Sequence, residues 1–139
     1  MDFGLYFHIP YCVQRCHYCD FTTFEQDKIL PQKQYVDSII SELSLRSHWA
    51  PKKNLTSIYF GGGTPSLLKL GLLEKIFDAL NKQGFTYDQG CEVTLEINPA
   101  TISKDSLKTY MDLGVNRFSV GAQSFNDKYL KACGRIHSA

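Results

Sequence analysis

Cys12, Cys16 and Cys19 lie within the eight residues Cys12-Val13-Gln14-Arg15-Cys16-His17-Tyr18-Cys19. Three thiols on one short loop can converge as thiolates on one metal centre. A single Zn2+ would want a fourth ligand to close its tetrahedron, and His8 or His17 could supply it. A [4Fe–4S] cube has four irons, so three cysteines leave one iron open to a small molecule. A purely structural role fits less well, because buried cysteines have no reason to crowd a polar loop that contains Gln14 and Arg15. Spacing alone leaves zinc and cluster both open.

The elements that must position this loop can be read along the chain. The run from Phe3 to Ile9 is apolar, with aromatic and β-branched members, and reads as a buried strand. Pro10 ends it, since proline cannot donate to a ladder. The cysteines therefore leave the carboxyl end of the first strand, and Asp20–Phe24 reads as irregular. A helix is expected from near Pro31, with Tyr35, Val36, Ile39, Ile40 and Leu43 on one face, broken by Pro51. A second strand, Leu55–Phe60, runs into Gly61-Gly62-Gly63-Thr64-Pro65, and a helix carrying Leu68, Leu72, Leu73, Ile76, Phe77 and Leu80 follows, with Gly84 as its stop. A third strand, Cys91–Ile97, ends in Glu96-Ile97-Asn98-Pro99. Ser103 or Thr101 would cap the next helix, with Leu107, Tyr110, Met111 and Leu113 inward and Gly114 at its C-cap. A fourth strand spans Arg117–Phe125 with a polar end at Gln123, and Asn126 caps a short helix through Leu130.

This order, β-α four times over, predicts an α/β fold with a parallel sheet wound by helices. In barrels of that kind the chemistry sits at the carboxyl ends of the strands. The cysteine loop, the glycine run, Glu96 and Gln123 each fall at such an end. A lone triple glycine is more often a flexible turn. Between a strand and a helix it lets a ligand approach the backbone, and free N–H groups there suit a carboxylate. Glu96 is either a surface residue on the polar phase of its strand or a carboxylate held for an ammonium or ribose. Cys91 and Cys133 read as small core residues, and His48 as a solvated helix-end residue. His137 carries no reading.

Composition narrows the classes. The chain has 139 residues, 43% apolar and 21% charged, which suits one modest globular domain over 1–139. Net charge is +1 with scattered Lys and Arg, giving no nucleic-acid or anionic-membrane surface. No apolar run is long enough for an integral membrane segment, and no signal peptide is evident. Five cysteines without an even framework argue against a disulfide scaffold and for a reducing, cytoplasmic setting.

The pattern C-x3-C-x-Tyr-C resembles the signature of the radical S-adenosylmethionine (SAM) superfamily. There a [4Fe–4S] cluster binds SAM at its open iron and cleaves it reductively to a 5'-deoxyadenosyl radical. Tyr6-Phe-His8-Ile-Pro10-Tyr-Cys12, Gly61-Gly-Gly-Thr-Pro65, Glu96-Ile-Asn-Pro99 and Gly114–Phe125 further resemble the oxygen-independent coproporphyrinogen III oxidase family. The resemblance implies that Cys12, Cys16 and Cys19 hold the cluster. It implies that Tyr6, Gly62, Gly63, Thr64, Glu96, Gln123 and Arg135 contact SAM, with Tyr18 packing beside it. It also implies a partial (β/α)6 TIM-like barrel, of which about four β/α units would be present here as an N-terminal portion.

Two features resemble the haem-chaperone (HemW-type) branch of that family more than its oxidases. Oxidases carry a further cysteine two residues past the third cluster ligand, where this chain has Phe21. They also have a segment before the first strand. The branch implies binding and transfer of haem by a longer protein, in place of oxidative decarboxylation of a porphyrinogen. A flavodoxin-like or ferredoxin-like protein would be the electron donor, and a fragment would be inactive alone. A zinc-stabilised structural domain is the alternative from another class.

Overall fold

Residues 3–51 and 53–139 are described by the structure, a computed structural model. Strand β1 (Gly4–Ile9) is followed by two short strands, β2 (Tyr11–Cys12) and β3 (Phe24–Glu25), and then by helix α1 (Gln32–Arg46). The chain continues through β4 (Ser57–Gly62), α2 (Leu70–Lys82), β5 (Glu92–Ile97), α3 (Lys104–Asp112), β6 (Arg117–Val120) and α4 (Asp127–Ala132). Strands β1, β4, β5 and β6 form one parallel sheet in that order, each β/α unit laying its strand beside the last. The expected α/β architecture is present.

Register divides the sheet into two unlike faces. Phe7 pairs with Phe60 and Phe60 with Leu95, so the odd positions of β1 share a face with Ile58, Val93 and Ile97. All of these except Leu5 are buried, against Val36 and Leu43 of α1, Leu73, Ile76, Phe77 and Leu80 of α2, and Tyr110 of α3. Phe7 stacks on Phe60 at 5.1 Å, and Phe77 meets Phe60 edge-on at 5.6 Å. The other face carries Tyr6, His8, Tyr59, Thr94, Glu96, Arg117 and Ser119. Hydrophobic burial thus anchors one face and leaves the polar one free for chemistry.

Helix boundaries follow the expected signals. Pro31 precedes α1, while Ser103 and Asn126 cap α3 and α4 by accepting from Ser106 N–H and Lys128 N–H. The ends of α2, α3 and α4 share one device. Phe85, Val115 and Arg135 return N–H groups to Leu80, Tyr110 and Leu130 just after Gly84, Gly114 and Gly134.

Three expectations are corrected. Asp20–Phe24 is not wholly irregular: Phe24–Glu25 pairs in parallel with Tyr11–Cys12, a two-residue ladder too short to leave a pattern in sequence. The fourth strand ends at Val120, not Phe125, because the chain curls through tight turns (Ala122 N–H to Val120 O, Ser124 N–H to Ala122 O). Met111 faces solvent, since Tyr110 takes the inward position and donates its hydroxyl to Ser66 O at 3.1 Å.

Gly63 is demanded by the chain's own backbone. A Cβ there would lie 2.6 Å from Tyr11 O, 2.9 Å from Pro10 C and 3.0 Å from Ile9 O, none of which can swing aside. Gly63→Ala is expected to cost about 2 kcal/mol, read as a lower denaturant midpoint. Gly71, in the first turn of α2 with nothing nearer than 3.9 Å, is the contrast, and Gly71→Ala should gain about 0.5 kcal/mol. Equal losses at both positions would contradict this.

Candidate cofactor site

The loop that carries the three cysteines is pinned at both ends. Phe24 N–H donates to Pro10 O at 2.8 Å and Gln26 N–H to Cys12 O at 2.9 Å, so residues 12–24 form a closed stirrup above β1. Within it, Cys19 N–H bonds Cys16 O at 3.1 Å, and the Arg15 guanidinium reaches Cys19 O at 3.0 Å. Its far side leans on the end of α4. His17 N–H donates to Cys133 O at 3.1 Å, His17 Nδ1 meets Ala132 O at 3.1 Å, and Gln14 Nε2 donates to Gly134 O at 3.2 Å. Cys133 is therefore a half-buried brace for the loop, not the core residue expected, whereas Cys91 is core as read.

The glycine run crosses directly beneath this loop. Gly63 N–H donates to Ile9 O at 2.8 Å and Thr64 N–H to Tyr11 O at 2.7 Å. Gly62 N–H donates to Glu96 Oε2 at 3.1 Å. These N–H groups were expected to be free for a ligand carboxylate. They are instead satisfied within the protein, and the carboxylate that one of them meets is its own. Glu96 Oε1 accepts a second bond from Tyr59 O–H at 2.7 Å, so the side chain is held from two sides at the end of β5. Hydrogen bonding to Glu96, followed by burial, pushes the Tyr59 phenol above its ordinary range.

A cleft of about 380 Å³ opens between the stirrup and the carboxyl ends of β4, β5 and β6. Cys12, Cys16, Cys19 and Tyr18 line one wall. Gly62, Gly63, Thr64 and Glu96 form its floor, and Gln123 and Arg135 close the far side. Of the residues that the resemblance assigns to the cluster or to SAM, Tyr6 alone lies off the cleft: its hydroxyl bonds His8 Nδ1 at 3.0 Å and its ring stacks on Tyr59 at 5.9 Å. Phe21, Thr23, Asn98 and Ser119 also line the cleft, and of these Thr23 and Ser119 carry no functional reading in the sequence. Gln123 has φ +64°, a left-handed backbone that is strained for a non-glycine residue, and this turns the chain back towards the site. Arg135 donates to Gly121 O at 2.6 Å and to Cys16 Sγ at 3.2 Å, while its buried Nε lacks a partner.

The donor set fits a cluster better than a single zinc. Burial pushes the Cys12 thiol up, the Thr23 and Thr64 hydroxyls pull it part of the way back, and Cys19 and Cys16 add to the rise. Three partly desolvated thiols facing one cleft become thiolates when a cationic centre is present to offset their charge. Among the described residues, no group of three or more His, Cys, Asp or Glu side chains is gathered about one point for a metal ion. The histidines offered as a fourth zinc ligand are otherwise engaged. His8 Nε2 meets Thr22 O at 2.8 Å, and because a carbonyl only accepts, Nε2 carries the proton and Nδ1 accepts from Tyr6. His17 faces α4.

Sequence reasoning missed Tyr59 and Gln14 as parts of the site, and offered His17 as a metal ligand where the structure makes it a contact to α4. Tyr59 could be found only through the β4–β5 register that brings it beside Glu96, and the other two only through docking across more than a hundred residues.

The chain belongs to the radical SAM superfamily, whose family pattern matches residues 6–139. Among curated relatives it is 41% identical to the heme chaperone HemW of Synechocystis (99% of this chain, 34% of that protein). It is 38% identical to the heme chaperone HemW of Escherichia coli (96% and 35%). The solved structure of coproporphyrinogen III oxidase (HemN) from Escherichia coli, a radical SAM enzyme, superposes with TM-score 0.85 at 28% identity, covering 97% of this chain and 31% of that one. The chain spans about a third of the length of these relatives. Among the described residues no helix is long and apolar enough to cross a membrane.

Tyr59 supplies a pH test. Its folded-state pKa lies above that of the unfolded chain, so its contribution to stability is complete below about pH 10 and is lost as pH rises through the raised value. Tyr59→Phe should lower stability near neutrality by about 1–2 kcal/mol, because Glu96 loses a donor. The gap from the parent protein should then hold up to about pH 10 and narrow as pH rises above it through the raised value, read by urea unfolding. A gap that is constant with pH would show that the bond to Glu96 contributes nothing.

Proposed function

We propose that Cys12, Cys16 and Cys19 hold a [4Fe–4S] cluster at which SAM binds, and that the whole protein binds and transfers haem as its HemW relatives are named for doing. The observation carrying this reading is that all three thiols open onto the same cleft as Glu96, Gln123 and Arg135. Residues 1–139 would be the amino-terminal portion of the radical SAM core. When bound, the cluster would supply an electron to SAM and an open iron to anchor it.

The chain's own residues have distinct tasks in this reading. Glu96 is pre-oriented by Tyr59 and Gly62, so it can accept from an ammonium or a ribose hydroxyl without first being ordered. The Arg135 guanidinium, with its unpartnered Nε, offers charge for a carboxylate beside Cys16. Gln123 presents an amide that can donate and accept. Tyr18, half-exposed on the cleft wall, gives an aromatic surface against which an organic cofactor can pack. Tyr6 would act at one remove, through its stacking on Tyr59.

A second reading, oxidative decarboxylation of a porphyrinogen, is favoured by the structural likeness to HemN. Phe21 weighs against it, because a largely exposed phenyl ring lines the cleft where the oxidases have a cysteine.

The test is anaerobic reconstitution with iron and sulfide, then EPR of the reduced protein with and without SAM. A [4Fe–4S]+ signal that shifts when SAM is added is expected, and Cys→Ala at 12, 16 or 19 should abolish it. Zinc without iron or sulfide in the folded protein would sink the cluster reading. Haem binding without porphyrinogen turnover by the whole protein would separate the chaperone from the oxidase.

A further inference from the structure

We infer that His17 and Gln14 are positioning residues that clamp the cysteine loop to the carboxyl end of α4, and so set Arg135 against Cys16. The inference rests on the cluster reading above. Three loop donors (His17 N–H, His17 Nδ1 and Gln14 Nε2) reach the carbonyls of Cys133, Ala132 and Gly134 at 3.1, 3.1 and 3.2 Å. The last carbonyls of a helix have no intrahelical partners, so these donors satisfy a need that α4 cannot meet itself. Since a carbonyl only accepts, His17 Nδ1 must carry a proton.

The contact is shaped as well as bonded. A Cβ at Gly134 would lie 3.1 Å from two atoms of the His17 ring, and its backbone sits at φ +72°, so glycine is needed on both counts. The next residue is Arg135, whose guanidinium bridges Gly121 O and Cys16 Sγ. Loop, helix end and guanidinium thus form one closed circuit: Cys16 to His17, His17 to Cys133–Gly134, Gly134 to Arg135, and Arg135 back to Cys16. Cutting it at His17 leaves all three cysteines in place and frees Arg135 to shift relative to them.

The test compares His17→Phe, which keeps a ring but removes the donor, with His17→Asn, whose amide can donate from a similar position. Each is reconstituted anaerobically alongside the parent protein, and SAM is titrated by the EPR change of the reduced cluster. The parent's cluster signal and SAM response test the cluster reading; the difference between the variants tests the clamp. Expected are full iron and sulfide loading in both variants, a SAM dissociation constant raised roughly tenfold in His17→Phe, and near-parent binding in His17→Asn. Equal SAM affinity in His17→Phe and the parent would overturn the clamp, as would equal weakening in both variants. Should His17→Phe fail to fold or load, Gln14→Leu decides: weakened SAM binding with intact loading upholds the clamp, and parent-like binding overturns it.

Discussion

Two backbone hydrogen bonds, from Gly63 N–H to Ile9 O and from Thr64 N–H to Tyr11 O, determine where the cysteine loop leaves the sheet. They continue the β1–β4 ladder past the point where Pro10 would have ended it, because proline has no N–H but its neighbours' carbonyls still accept. The loop is thereby seated on the glycine run with no side chain between them. Gly63 leaves no room for even a methyl group, so the distance between the thiols and the floor of the cleft is set by backbone contact. Everything placed above depends on that crossing: the β2–β3 ladder that closes the stirrup, the Thr64 hydroxyl beside Cys12, and the cleft.

The floor is ordered in turn by a carboxylate. Glu96 lies on β5, Tyr59 and Gly62 on β4, and the register of these parallel strands brings all three together. A carboxyl group that accepts from two donors inside a partly enclosed site is held in one orientation, and its donors are held with it. Tyr59 also stacks on Tyr6, whose hydroxyl bonds His8, whose other nitrogen bonds Thr22 in the stirrup. The polar face of the sheet is therefore a connected network running from β5 back to the cysteine loop. The same alternation that buries Phe60 and Leu95 on one side places Tyr59 and Glu96 on the other.

Much of this was legible in sequence because it is local. Caps at Ser103 and Asn126, glycines after α2 and α3, and apolar spacing in α2 all report on residues within a turn or two. The rim could also be read, since a repeated β/α order fixes which strand ends share an edge. What could not be read was pairing at a distance. In sequence the glycines read as a cradle for a ligand, and only the fold reveals that Gly63 answers to Pro10 and Tyr11, and Gly62 N–H to Glu96. Gln123 was placed at a strand end by its polarity, but the tight turns after Val120 that bring it to the cleft have no marker beyond Gly121. His17 lay inside the motif and was weighed as a metal ligand because its partner is 115 residues away.

That separation bears on how the site comes into being. Helix α4 has six residues and buries one large side chain, Leu130, which is little to hold it in water by itself. The stirrup has a two-residue ladder and few internal bonds, and is equally weak alone. Each supplies what the other lacks: the helix end has carbonyls without partners, and the loop has donors without acceptors. Closing a chain over that length costs only slightly more than closing a much shorter one, because the entropy grows with the logarithm of loop length. The sheet has already met most of that cost by setting β6 beside β5. The cleft is thus complete only with the fourth β/α unit docked, because the thiols at residues 12–19 and the residues 121–135 come together only in the assembled fold.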